Sequence, residues 1–254
     1  MPELPDVEVL KNYCRQNILD RKIDSLVVKN NRVIKSSPVT LRKYLEGEAF
    51  RQADRHGKYL FLATDKRELV LHFGMTGSVR YMEKNGDIDH CPFIIDFNDG
   101  SRFGFITIRK LGKVMLIDDR KKFIDKNRIG LDAYGIDKTG FQKAIRNGGS
   151  IKYRLMNQKK IAGIGNIYVD ELLYQTSILP ERTKLDKEEV ESLFINMKRI
   201  FDVSIRHGAE PDEFPSRYLI KRRKQGENCG ICAGRINKKT INGRSSYFCS
   251  RHQK

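Results

Sequence analysis

The chain has 254 residues, 39 % of them apolar, and carries 49 Lys and Arg against 32 Asp and Glu, a net charge of +17. That length suggests two or three small domains. No apolar run approaches the ~18 residues a membrane helix needs, and charges stand where the apolar core of an export signal would lie, so a cytoplasmic or nucleoid-associated protein is expected.

The pI near 9.7 predicts a polyanionic partner, because neutralising phosphates releases counterions. Ribosomal and membrane-surface proteins share this balance. Cysteine usage points the same way as location. There are five cysteines, an odd number, and three lie in the C-terminal segment. That favours metal binding in a reducing compartment over a disulfide framework.

The chain opens Met1-Pro2-Glu3-Leu4-Pro5-Asp6-Val7-Glu8. A small second residue permits removal of Met1, which would leave a prolyl secondary amine at the terminus. An α-amino group titrates near pH ~8, well below lysine at ~10.4, so an unprotonated fraction exists at neutral pH. Amines that add to aldehyde-like carbons form Schiff bases, an established route to covalent catalysis. Glu3 and Glu8 set carboxylates beside that amine. The same residues also suit a plain helix lead-in, with Pro5 in the first turn and Asp6 and Glu8 favouring the helix N-terminus.

A helix is expected over 5–20, with Val9, Leu10, Tyr13 and Ile18 as its apolar stripe. From residue 22 to about 118 short alternating runs replace it, at 23–28, 59–62, 69–73 and 93–97, with Asn98-Asp99-Gly100 as a hairpin-type turn. Strands at this spacing predict a sandwich or barrel. Between 125 and 206 the period is helical, in segments 141–147, 151–156, 167–175 and 187–206. Within it, Gly163-Ile164-Gly165-Asn166 joins two helical stretches. Glycines allow close backbone approach, and the N–H groups opening the next helix favour an anion.

The segment 219–254 is too small for a core of its own and needs a staple. Cys229-x2-Cys232, sixteen intervening residues, then Cys249-x2-His252 supply two close ligand pairs. Each can grip one edge of a tetrahedral Zn²⁺, and four protein ligands make the ion structural. Residues 238–248, with Asn242-Gly243 at the turn, read as a hairpin, so the segment is a zinc ribbon. Arg244 stands at that turn, suited to touching phosphate. Cys14 and Cys91 read as structural thiols.

Taken together, Pro-Glu-Leu-Pro at the start, Gly57-Lys58-Tyr59-Leu60, His72-Phe73-Gly74-Met75-Thr76-Gly77, the Ile151-Lys152 helix, the 163–166 turn and the ribbon resemble the formamidopyrimidine-DNA glycosylase / endonuclease VIII family along essentially the whole chain. The resemblance implies an α+β, multidomain protein with DNA in a cleft. Its parts would be an N-terminal helix plus β-sandwich (1–122), a helix–two-turns–helix domain (123–218) and a C-terminal zinc ribbon (219–254). It implies excision of an oxidised base followed by strand cutting, with damaged double-stranded DNA as partner, one structural Zn²⁺ and a monomeric state. Pro2 would attack C1′, Glu3 would move protons and Lys58 would sit beside the reacting nucleotide. Met75 matches the family's wedge and Arg109 the arginine that pairs with the orphaned base. His72, Lys152, Asn166 and Arg244 fit phosphate-positioning roles.

Three departures stand out. Asp6 replaces a common glutamate, Leu111 stands where phenylalanine is usual, and His252 where the fourth cysteine is usual. In addition, 208–226 is short and charged where 8-oxoguanine-processing members carry a longer capping loop. Formamidopyrimidines, hydantoins or oxidised pyrimidines are therefore expected to be better substrates than 8-oxoguanine. The rival readings are a non-catalytic DNA- or RNA-binding protein that keeps the scaffold, and a zinc-ribbon translation or ribosomal factor. Neither has a need for Pro2, Glu3 and Lys58 together.

Overall fold

The computed structural model describes residues 1–254 apart from 85, 87 and 88. The chain divides into two compact units. One comprises Met1–Pro2 with Val7–Arg128, the other Glu3–Asp6 with Ile129–Lys254. Among the described residues no helix is long and apolar enough to cross a membrane.

The first unit holds most of α1 (Leu4–Asn17), followed by β1 (Ile23–Val28), α2 (Pro38–Leu45), β2 (Gln52–His56), β3 (Tyr59–Ala63), β4 (Glu68–His72), β5 (Gly77–Met82), β6 (Phe93–Phe97), β7 (Arg102–Thr107), β8 (Lys113–Ile117) and α3 (Arg120–Lys126). The strands form two four-stranded antiparallel sheets, β1-β6-β7-β5 and β2-β3-β4-β8. Period-2 alternation sends Leu60, Leu62, Leu69 and Leu71 from one sheet, and Phe93, Ile95, Phe103 and Phe105 from the other, into one core with Val7, Cys14 and Ile18 of α1. This is the expected sandwich. The runs at 23–28 and 93–97 are strands over those bounds, β3 runs one residue past the expected 59–62, and β4 lies one residue earlier than the expected 69–73. Strand β2, Gln-Ala-Asp-Arg-His, has no alternation to announce it. It forms because β3 offers it a complete ladder, from Gln52↔Ala63 to His56↔Tyr59.

The second unit contains β9 (Leu131–Asp132), α4 (Lys138–Ile145), α5 (Ile151–Leu155), β10 (Ile161–Ala162), α6 (Asn166–Gln175), α7 (Lys187–Arg206), two 3₁₀ turns (Pro211–Glu213 and Leu219–Arg222), β11 (Asn237–Ile241) and β12 (Arg244–Phe248). Leu4 joins its helical core beside Phe141, Ile151, Leu155, Tyr168, Leu172, Leu193, Met197 and Phe201. Asp186 and Glu189 close a capping box at the start of α7. The hairpin β11–β12 turns at Asn242 and Gly243, whose φ values are 49° and 73°, as a type I′ turn demands. Its small core consists of Tyr174, Leu219, Cys229, Ile236 and Cys249.

Candidate active site and nucleic-acid interface

The glycine turn and the N-terminal tetrapeptide, remote in sequence, meet in the second unit. Gly163 has φ +116°, and a Cβ there would lie 2.5 Å from Leu4 Cδ1, so only glycine admits Leu4 to the core. The Leu4 amide donates to the Gly163 carbonyl at 3.1 Å. This seats Glu3 over the start of α6, whose N-cap, Gly165, has no side chain to do the capping. Glu3 does it instead. Oε2 accepts from the amides of Gly165 (2.8 Å) and Tyr168 (3.2 Å), and Oε1 from that of Ile167 (2.9 Å).

A carboxylate on a helix N-terminus meets both the orphan donors and the positive end of the dipole. It has roughly four acceptor sites, so these three bonds leave about one, on Oε1. Asp6 Oδ2 accepts the Glu3 amide at 2.9 Å. Burial, with the nearby Glu3 charge adding to it, pushes the Asp6 carboxyl up to about 6.

Along α6 the acid Asp170 is fully buried. Its Oδ1 accepts from Lys152 Nζ at 2.6 Å, and its Oδ2 accepts from Arg223 Nη2 at 2.8 Å and the Tyr247 amide at 3.1 Å. Lys152 also donates to Ser246 Oγ (2.7 Å) and the Ser245 carbonyl (3.1 Å). Only 2 % exposed, it has all three donors committed to protein, which differs from the phosphate-facing position expected of it. Asn166 Nδ2 donates to the same Ser245 carbonyl at 2.9 Å. Arg244 opens β12 with its side chain exposed.

In the first unit Gly57 (φ +58°) and Lys58 form the two-residue turn between β2 and β3. Lys58 is largely buried. His72 ends β4, its Nδ1 accepting the Gly74 amide at 3.3 Å, with the Tyr59 ring 4.8 Å away. Burial, reinforced by Lys113 and Lys58, brings its pKa down to about 4, so His72 is neutral at physiological pH. The loops after β4 and β7 are pressed together at Gly74 (φ +60°), where a Cβ would sit 2.6 Å from the Leu111 carbonyl. At their tips Arg109 Nη1 donates to Met75 Sδ at 3.3 Å. Met75 and Leu111 are 44 % and 46 % exposed, so two apolar side chains stand open to solvent on these two loops, one of them in contact with a guanidinium.

The four C-terminal ligands converge. One ligand atom from each of Cys229, Cys232, Cys249 and His252 lies within 4.8 Å of all the others, a group that could hold a metal ion. The surroundings suit thiolate donors. The Ile231 amide donates to Cys229 Sγ and the Gly234 amide to Cys232 Sγ. A Cβ at Gly234 would fall 2.7 Å from Cys249 Sγ. His252 Nε2 reaches the Tyr174 carbonyl at 3.1 Å, which leaves Nδ1 facing the sulfurs, the outer-shell pattern of metal-binding histidines.

Comparison with known proteins agrees with this geometry. The family model "Formamidopyrimidine-DNA glycosylase N-terminal domain" matches residues 1–114, and "Formamidopyrimidine-DNA glycosylase H2TH domain" matches residues 135–215. The chain belongs to the formamidopyrimidine-DNA glycosylase family. The formamidopyrimidine-DNA glycosylase of Mycoplasma genitalium is 31 % identical over all of this chain and 96 % of its own length. That of Wolbachia pipientis is 31 % identical over 98 % of each.

Among solved structures of this family, a Lactococcus lactis Fpg complex with abasic-site DNA superimposes with TM-score 0.87 at 27 % identity, over 99 % of both chains. A second Lactococcus lactis Fpg structure, with DNA containing N7-benzyl-Fapy-dG, gives 0.88 at 28 % identity over 100 % of both chains. Against this family background, the residue that reading the sequence passed over is Asp170. A signal for it existed. Asp170-Glu171 interrupts an otherwise apolar run, Ile167-Tyr168-Val169 before and Leu172-Leu173-Tyr174 after, and two acids there must be buried and paired.

Proposed function

We propose that this protein is a base-excision-repair enzyme, a bifunctional DNA glycosylase and abasic-site lyase whose nucleophile is the amine of Pro2 after Met1 is removed. The observation that carries this reading is the carboxylate of Glu3, the residue that follows Pro2, oriented at both oxygens by the start of α6.

In the proposed reaction the Pro2 nitrogen bonds to C1′ of the damaged nucleotide while the C1′–base bond breaks, and the base leaves with that electron pair. Glu3 takes the proton that the Pro2 nitrogen sheds and delivers it to the ring oxygen as the bond from C1′ to that oxygen breaks, and the nitrogen lone pair completes a Pro2 iminium. The iminium acidifies the C2′ proton. Its removal expels the 3′-phosphate, and a second elimination expels the 5′-phosphate. Extruding the nucleotide costs a few kcal/mol of stacking and pairing, which a Met75 and Leu111 wedge with Arg109 facing the orphaned base would offset. Lys58 is assigned to the reacting nucleotide. His72, Asn166 and Arg244 are assigned to backbone positioning, whereas Lys152, with its three donors taken by Asp170, Ser245 and Ser246, is not. The partner is damaged duplex DNA bound by a monomer, with segments 1–122, 123–218 and 219–254 acting as catalytic, helical and ribbon parts. The test is incubation with abasic-site duplex and borohydride. A covalent adduct supports the reading, whereas DNA binding without an adduct leaves a non-catalytic binder.

The Cys3His group is assigned to one structural Zn²⁺, held by Cys229, Cys232, Cys249 and His252. When bound it supplies a crosslink and no open position. The ribbon core is too small to hold its shape otherwise. Cys249→Ala is therefore expected to take metal content from about one equivalent to none. It should also destabilise the hairpin selectively, read as hydrogen exchange of residues 237–248 accelerating by more than a hundredfold.

Substrate preference follows from the segment after α7. Phe214 and Tyr218 are buried in the helical core and Leu219 in the ribbon core, so 208–226 is pinned at three points. Such a segment supports a preference for lesions that need no purine-capping loop. Formamidopyrimidine opposite cytosine should be excised about tenfold faster than 8-oxoguanine opposite cytosine, the scale on which a few lost contacts discriminate. Equal rates would refute this preference.

A further inference from the structure

Asp170 is the centre of a buried polar hub that no catalytic step uses. Its two oxygens take a lysine from α5, an arginine from the segment leading into the ribbon, and a backbone amide of β12. Lys152 extends the hub to Ser245 and Ser246, and Arg223 extends it to the Asn166 carbonyl (3.3 Å) and over the Tyr247 ring (4.5 Å). One turn earlier on the same helix sit the amides that hold Glu3. One residue before Ser245 is Arg244.

Burial opposes both charges of the Lys152–Asp170 pair, pushing the carboxyl up and the ammonium down. Their mutual attraction counters both shifts, while Arg223 counters the one on Asp170 and adds to the one on Lys152. A buried ion pair of this kind is weak evidence for stability, since a well-packed apolar replacement is often as stable. Its best-attested use is to fix one geometry among several. Two atoms at the edge of the hub, Asn166 Oδ1 and Arg223 Nε, are buried without a partner, so the arrangement is not the one that maximises internal bonding.

We propose that Asp170 is a positioning residue for lesion recognition. It locks β12 and the segment before the ribbon to α6, so that Asn166 and Arg244 meet the DNA backbone in fixed register with Glu3. The inference rests on the repair function proposed above and deepens it. Phosphate contacts are present in damaged and undamaged duplex alike and set register rather than sequence preference. Losing one weakens both duplexes equally. Losing register weakens only the complex in which the damaged nucleotide must be presented to Glu3. The ratio of the two affinities therefore separates the roles.

The experiment compares wild type, Asp170→Asn, and the charge-balanced double variant Asp170→Asn/Lys152→Met, in which no buried charge of the pair is stranded. Metal content and thermal melting report folding. Dissociation constants are measured for abasic-site duplex and for the same duplex undamaged, at one salt concentration. Both variants are expected to lower the abasic-to-undamaged affinity ratio about tenfold or more. KM for the abasic duplex should rise by a similar factor, with kcat changing less than threefold. An unchanged ratio in a folded variant overturns the proposal, as does equal weakening of both duplexes. If Asp170→Asn does not fold, the double variant alone decides between these outcomes. Failure of wild type to trap covalently would instead strike at the proposed lyase chemistry, and the affinity ratio is read without turnover.

Discussion

Protein that keeps any residue ahead of Pro2 is expected to form no borohydride-trapped adduct with abasic-site duplex, while still binding it. In such a chain the Pro2 nitrogen is an amide, its lone pair is delocalised into the carbonyl, and it cannot add to C1′. The loss should be about a thousandfold or more, the scale on which removing a covalent nucleophile acts. Folding should be unaffected, because Leu4 and Glu3, not Met1, hold the N-terminal segment in place. Pro2→Gly tests the same point more gently. It leaves a primary amine of greater freedom and should slow strand scission by about a hundredfold or more. Mass analysis of active protein with Met1 still attached, or scission untouched in Pro2→Gly, would remove the proposed chemistry.

Glu3→Gln is expected to separate the two activities. Excision of an intact lesion requires a proton at the sugar ring oxygen, and losing a positioned general acid costs about a hundred- to ten-thousandfold. An abasic site already exists partly as the open aldehyde, so cutting it should fall far less, about tenfold. The substitution also has a structural effect. Glutamine keeps one carbonyl oxygen where the carboxylate presented two to three amides, and it removes a negative charge from the start of α6. Together these should cost about 1–3 kcal/mol of stability, visible as a lower melting temperature. Loss of both activities by the same factor would mean that Glu3 serves as a helix cap alone.

Much of the fold was legible from local pattern. Alternation marked β1, β3, β4 and β6, and a helical period marked α7 over its full length. Strands β2, β5 and β8 went unmarked, and β7 was implied only as the second arm of the turn at 98–100. In β2 Asp54 and Arg55 are taken up in ion pairs, and Gly77 in β5 and Gly104 in β7 each remove a side chain from the pattern. Their strand character comes from neighbours that complete the ladder, which a single segment does not display. The metal ligands were legible because two short Cys-x2 spacings bring ligands together within each pair whatever the rest of the chain does. Met75 as wedge and Arg109 as partner of the orphaned base were named from family resemblance, and their side-by-side placement depends on Gly74 allowing two distant loops to touch.

The amino-acid sequence by itself determined the chemistry available. A proline able to become a terminal amine, an adjacent carboxylate, three thiols and an imidazole in two close pairs, and a large positive charge are properties of residue identity and short spacing. Only the tertiary structure decided how that chemistry is aimed. Glu3 caps a helix 162 residues away, Lys152 turns inward to Asp170 rather than outward, and an acid that looked like an interruption in an apolar helix anchors the ribbon hairpin. The physical reason is that burial and long-range hydrogen bonding choose each polar group's partner, and those partners are set by packing across the chain rather than by the neighbours in line.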